Sequence, residues 1–147
     1  MSSDPRVLVV DDEPAIRALV AKIVARAGHT VDVASDGAEA IKMLAQREYG
    51  VLVIDLMMPN IDGFGLIEHI KTTGGPRPAI IVISASDSAA LRKLDGSMVH
   101  SILRKPFDID VLGDLISAAA QTRAEAAAAE TESHGGQVVR FPGSSEG

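Results

Sequence analysis

VLVIDLMMPNIDG, residues 51–63, is the stretch that decides the fold. Val51–Ile54 is continuously apolar, with no polar alternation. A strand with one wet face alternates, whereas an unbroken β-branched run suits a strand covered on both sides, as in parallel sheets. The run stops at Asp55. The loop LMMPNIDG follows, and then a helix with Phe64, Ile67 and Ile70 turned inward. Strand, carboxylate, loop and helix form one unit of an alternating chain.

The same unit recurs on either side. Upstream, Arg6–Val10 (RVLVV) ends at Asp11 and Asp12, and Pro14 stands where the first helical residue belongs. Asp11, Asp12 and Glu13 lie at the positive end of that helix dipole. Ile16, Leu19, Val20, Ile23 and Val24 share one helical face, and Gly28 marks its end. A second strand, Thr30–Ala34, leads through an Asp36 N-cap to a helix from about Gly37 to Arg47, with Ile41 and Leu44 inward. Downstream, Ala79–Ile83 ends at Ser84, a short helix covers about Asp87–Leu94, and a fifth strand, Met98–Leu103, ends near Lys105. The last helix starts near Asp108, with Val111, Leu112, Leu115, Ile116 and Ala119 on one face, and has the composition to continue through the Ala-rich segment beyond. Strict alternation predicts an α/β fold: a five-stranded parallel sheet, helices on both faces, joined by right-handed crossovers.

Composition narrows the function. Of 147 residues, 46% are apolar and 23% charged, with 14 Lys and Arg against 20 Asp and Glu, a net charge of −6. An acidic surface argues against a broad nucleic-acid face and suits cations or basic partners. The absence of cysteine excludes disulfides, thiolate metal sites, iron–sulfur clusters and a cysteine nucleophile. MSSDPR has no basic region leading into an apolar one, so no secretory signal is expected, and runs such as Ala79–Ile83 are too short to span a bilayer. From Gln121 large apolar residues nearly vanish. The chain thus divides into a domain of residues 5–120 and an extension, 121–147, expected to be helical first and then disordered around GGQVVRFPG. Docking of Val138, Val139 and Phe141 on a sheet edge or a partner groove is the sharper, minority reading of that tail.

In open parallel sheets, sites form beyond the carboxyl ends of the strands. The residues delivered there are Asp11 and Asp12, Asp55, Ser84 and Lys105. Three carboxylates at one place repel and need a cation or a proton. A hard ion such as Mg²⁺ takes oxygen ligands. With an ammonium and a hydroxyl alongside, the set forms a cradle for a phosphoryl group, and Asp55 is a candidate nucleophile that would carry it as an acyl phosphate. Singly, each residue has a plainer reading: a helix-start acidic pair, a loop carboxylate, a strand-end hydroxyl, a surface lysine. Their joint placement favours the site. His29, His69, His100 and His134 have no metal-ligand spacing; Met57 and Met58 read as loop packing, and Asp36, Asp62 and Asp87 as caps or turn residues.

VLVVDDEP, VLVIDLMMPNIDG, VISAS and ILRKPF, in that order and each at a strand, together resemble the receiver domain of two-component response regulators across residues 5–120. The resemblance implies a flavodoxin-like strand order of 2-1-3-4-5. It implies that Asp55 accepts phosphate from a histidine kinase's phosphohistidine. Mg²⁺ would be bound directly by Asp12, Asp55 and the backbone carbonyl of Met57, and by Asp11 through water. Ser84 would close on the phosphoryl oxygens, Lys105 would pair with them, Pro106 would follow a cis peptide, and Pro59 and Gly63 would shape the acceptor loop. One departure is Ile102, which stands three residues before the lysine where such domains often carry Tyr or Phe. Met57 and Ser86 occupy positions that tune dephosphorylation in that family.

The resulting expectation is a cytoplasmic, stand-alone phosphoacceptor switch that catalyses only its own phosphorylation and dephosphorylation. The 27 residues 121–147 leave no room for a DNA-binding domain. Its partners would be a sensor histidine kinase or phosphotransfer protein and a downstream protein, met through the fourth helix, fifth strand and fifth helix. It would be a monomer or weak dimer, away from membranes, with a relay or phosphate sink as variants of the role. A haloacid-dehalogenase-like phosphohydrolase would want a second Asp where Met57 stands, and a cap domain. A dinucleotide-binding module would want glycines where VDDEPA stands. A degenerate receiver would not keep the full acidic set.

Overall fold

The computed structural model describes residues 5–58, 60–85 and 91–135, with side chains as far as residue 124. The elements are β1 (Val7–Val10), α1 (Pro14–Arg26), β2 (Val31–Ala34), α2 (Gly37–Gln46), β3 (Val51–Asp55), α3 (Gly63–Thr72), β4 (Ala79–Ser84), β5 (Val99–Arg104) and α4 (Ile109–Gly135). The strands form one parallel sheet in the order β2-β1-β3-β4-β5. Half of the short helix expected at about Asp87–Leu94, residues 87–90, lies outside the described residues, as do Pro59, Ser86 and the tail with Val138, Val139 and Phe141.

The central strands explain the unbroken apolar run. β3 is buried at every position and sits between β1 and β4. Alternate residues feed opposite layers, because successive side chains leave a strand on opposite faces. Leu8, Val10, Leu52, Ile54, Ile80 and Val82 join Ala40, Leu66, Ile67 and Ile70 of α2 and α3. Val7, Val9, Val51, Val53, Ile81 and Ile83 join Val20, Ile23, Val24, Leu112, Ile116 and Ala119 of α1 and α4. Each helix therefore shows one apolar stripe, and the central strands show two.

Local chemistry sets the element ends. Asp36 and Asp62 cap α2 and α3 by accepting from the amides of Glu39 at 2.8 Å and Gly65 at 2.9 Å. Asp108 accepts from the amides of Asp110 and Val111 at 2.8 and 3.2 Å at the start of α4. Gly28, just past α1, adopts φ +92°, which a side chain would disfavour. At the amino ends of the strands, Asp32 accepts from Tyr49 Oη at 2.6 Å and pairs with Arg6 and Arg47 at 3.4 and 3.6 Å. Burial and the bond to Asp32 push the Tyr49 hydroxyl up to about 12.

Two expectations need correction, and a third holds. Val111 is 44% exposed, because the buried stripe of α4 runs through Leu112, Ile116 and Ala119 and position 111 lies a hundred degrees off it. Met57 does not pack in the loop: it is 60% exposed, whereas Met58 is tucked into the core. The last helix does continue through the Ala-rich segment, to Gly135, with no break near residue 120.

Gly63 begins α3, and its amide donates to the Leu56 carbonyl at 2.9 Å. A Cβ there would lie 2.6 Å from Leu56 Cα and 2.9 Å from the Asp55 carbonyl oxygen. Both are backbone atoms, so Gly63→Ala must displace the segment that carries Asp55. The expected cost is about 1–3 kcal/mol, read as a lower midpoint in thermal or urea unfolding. Gly74→Ala, which would meet nothing within 4 Å, serves as the control and should unfold as wild type does.

Candidate functional site: an acidic pocket spanned by a lysine

Chain direction reverses its progress across the sheet between β1 and β3, since β2 lies on one side of this pair and β4 and β5 on the other. The carboxyl ends of these two strands flank the crevice where such sheets bind ligands. Asp11 directly follows β1, and its amide continues the ladder by donating to the Ala34 carbonyl at 3.2 Å. Asp55 is the last residue of β3, one step past the Val10–Ile54 register. The continuous strands thus carry both acids to the edge and bury them, at 3% exposure for Asp11 and 5% for Asp55. Asp12 is exposed at the mouth. One oxygen from each of Asp11, Asp12 and Asp55 lies within 4.8 Å of the others.

Donors hold the buried acids in place. Asp11 Oδ1 accepts from the Glu13 amide at 2.9 Å, and Asp55 Oδ1 from the Met57 amide at 3.1 Å. Lys105 reaches in from the loop after β5. Its Nζ lies 3.3 Å from Asp55 Oδ2, 3.4 Å from Glu13 Oε1 and 3.7 Å from Asp11 Oδ2. The Lys105 amide donates to the Ser84 carbonyl at 2.9 Å, which fixes this loop to the end of β4. The Lys105–Pro106 peptide is cis, as the resemblance implies. Ser84 itself is fully buried at the end of β4, one residue beyond Ile83, the register partner of Asp55.

The electrostatics are lopsided. Burial, reinforced by the charges of Asp55 and Asp12, outweighs the Glu13 amide and Lys105 and holds the Asp11 carboxyl above its ordinary value. Burial works against the Lys105 ammonium, but the Asp11 and Asp55 carboxylates and the bonds to Asp55 and Glu13 win, and its affinity for the proton rises. One ammonium stands against the Asp11–Asp12–Asp55 trio and Glu13. An oxygen-only, negatively charged donor set of this kind matches a hard divalent cation.

Of the residues singled out by sequence, Asp11, Asp12, Asp55 and Lys105 come together, and Met57 contributes its amide. Among the described residues no histidine joins a metal-ligating group. Sequence reading missed two participants. The sequence places Glu13 only at the helix dipole, yet its carboxylate contacts Lys105. Arg17 Nη1 donates to the Asp11 carbonyl at 2.8 Å. A signal for the first was present: glutamate is a poor N-cap, so a Glu in that position is available for other bonds.

The sequence profile of the response regulator receiver domain matches residues 7–117. The chain belongs to this family. The receiver is 38% identical over 109 residues to the response regulator MprA of Mycobacterium ulcerans (strain Agy99), covering 73% of this chain and 46% of MprA. It is 34% identical over 111 residues to the transcriptional regulatory protein TcrA of Mycobacterium tuberculosis (strain ATCC 25618 / H37Rv), covering 75% and 44%. The chain therefore spans about half the length of these curated relatives. The receiver domain of Francisella response regulator 1452 superposes with a TM-score of 0.73 at 32% identity, covering 81% of this chain and 98% of that one. Receivers are the signalling switches of two-component systems, and a phosphorylated aspartate and Mg²⁺ binding are general features of the family. Among the described residues no helix is long and apolar enough to cross a membrane.

The Asp11 carboxyl gives a testable sign. Its folded-state affinity for the proton exceeds the ordinary value of 3.8, so the protonated form favours the fold and that stability is lost as pH rises through the raised value. Asp11→Asn keeps an acceptor for the Glu13 amide and removes the buried charge. Without divalent ions the variant should melt above wild type at pH 7, and the gap should close as pH falls below about 4. Thermal melts across that range in a metal-free buffer check it.

Proposed function

We propose that this receiver takes a phosphoryl group on Asp55 from the phosphohistidine of a sensor histidine kinase or phosphotransfer protein and uses it to switch protein–protein contacts. The observation that supports it most is the pairing of buried Asp55 Oδ2 with Lys105 Nζ at 3.3 Å inside the acidic trio. In the transfer, an Asp55 oxygen forms a bond to phosphorus as the phosphorus–nitrogen bond of the donor breaks. The products are an acyl phosphate and a free imidazole. Lys105 pairs with the phosphoryl oxygens, and the Ser84 hydroxyl donates to one of them. Asp11, Asp12, Asp55 and the Met57 carbonyl are the groups that would hold Mg²⁺, with Asp11 acting through water. Such an ion supplies charge neutralisation for the incoming phosphoryl group.

Phosphorylation adds nearly two negative charges and three strong acceptors at Asp55. States in which Ser84 and Lys105 meet those oxygens gain, and the population shifts toward them. The chemistry is confined to the receiver's own phosphorylation and dephosphorylation. Met57, standing two residues after the nucleophile, offers no second carboxylate for a haloacid-dehalogenase-type turnover. Residues 5–120 carry the switch, in the cytoplasm, and residues 121–147 are an extension to it.

Incubation with acetyl phosphate and Mg²⁺ should add the mass of one phosphoryl group, and Asp55→Asn should abolish the gain. Equal labelling of the variant would refute Asp55 as the acceptor. Millimolar Mg²⁺ should also raise Tm, because a ligand bound only by the native state stabilises it, by about 2.7 kcal/mol at a hundred times Kd. Asp12→Asn should remove most of that rise.

A further inference from the structure

Glu13 is the one acid at this site that the family chemistry proposed above does not use. It is the N-cap residue of α1 but makes no side-chain cap bond, unlike Asp36 and Asp62 on their own helices. Its carboxylate reaches Lys105 Nζ instead, at 3.4 Å, nearly as close as Asp55 at 3.3 Å. Lys105 is fixed at its backbone by the bond to Ser84, so what remains free is the direction of its ammonium.

An ammonium has three hydrogens, and here three carboxylates surround it. A phosphoryl group on Asp55 brings three further acceptors, placed beyond the carboxylate that carries them. Lys105 must turn toward them, and every bond kept to Glu13 opposes that turn. Glu13 is 62% exposed, so its ion pair adds little to folding. Its contact is with Lys105, the side chain proposed above to pair with the phosphoryl oxygens.

We propose that Glu13 is a positioning residue that restrains the Lys105 ammonium and so shortens the life of the phosphoryl group on Asp55. This rests on Asp55 being the acceptor. The Glu13–Lys105 contact holds the ammonium in its unphosphorylated arrangement. Phosphorylation breaks it, and loss of phosphate restores it. Glu13 thus biases the switch toward its resting state without touching the reacting atoms.

Two variants separate contact from charge. Glu13→Gln keeps the length and removes the charge; Glu13→Asp keeps the charge and is one methylene too short to reach Nζ. The full 147-residue chain is phosphorylated with acetyl phosphate at saturating Mg²⁺, the donor is removed, and phosphate loss is followed by intact mass. Both variants should lose phosphate about two- to fivefold more slowly than wild type. Both should also move the Lys105 ¹⁵Nζ resonance of the unphosphorylated protein while leaving Tm in place. Loss at the wild-type rate in both overturns the proposal. Slowing in Glu13→Gln alone also overturns it, since distant charge and not contact would then be responsible. Failure of wild type to gain a phosphoryl group would overturn the Asp55 reading itself, an outcome distinct from a labelled wild type with unaffected variants.

Discussion

Two carboxylates, Asp11 and Asp55, are almost wholly removed from water at neighbouring strand ends, and the ammonium of Lys105 lies within 3.7 Å of both. Charges buried in this way cost free energy unless paired and hydrogen-bonded. The pairing is incomplete, because among the described residues Lys105 alone forms ion pairs with these acids and it faces an excess of them. The fold thus holds a region of uncompensated negative charge in one place, and does so with the fully buried central parallel strands. A packed strand pair cannot relax to move the acids apart. A proton, which burial already favours on the Asp11 carboxyl, or a divalent cation would relieve this repulsion.

The pieces of this site come from distant parts of the chain, and two backbone features make them converge. Register places Asp55 beyond Ile54, the partner of Val10, so Asp11 and Asp55 are neighbours by hydrogen-bond geometry and not by side-chain choice. The Lys105 amide then binds the Ser84 carbonyl, which ties the β5 loop to β4 and aims the lysine across the crevice. Close approach at Gly63 holds the other wall: α3 starts against Leu56 and the Asp55 carbonyl, leaving no space for a Cβ. The loop after Asp55 is therefore gripped from the sheet and from the helix that follows it.

Most of this was legible because the signals are local and physical. Continuous apolar strands, Asp N-caps and the Pro14 start are each enforced by short-range chemistry, and the helical and strand periods say which residues face the core. The convergence of Asp11, Asp12, Asp55 and Lys105 followed from alternation plus the rule that sites lie at strand ends. What sequence did not yield depends on side-chain direction. Val111 fits an apolar helical pattern but sits just off the buried stripe, and a period alone does not fix the stripe's width. Adjacent methionines differ only in which way the loop turns them. Glu13 was read through the helix dipole because its partner lies 92 residues away in sequence.

The C-terminal helix shows the opposite balance. Up to Ala120 it is held by burial, with Leu112, Ile116, Ala119 and Ala120 packed on the β-sheet and α1. Beyond that point it runs to Gly135 through a segment rich in Ala and Glu, residues of high intrinsic helix propensity. An isolated helix of that length would be marginal in water, because its first turn is costly to form. Here the packed turns of α4 have already met that cost, and each further residue only propagates the helix. The extension is therefore an outgrowth of the receiver's own core: weakening the packing at Leu112 or Ile116 would remove its nucleus, while substitutions within it would leave the acidic pocket at the far end of the sheet untouched.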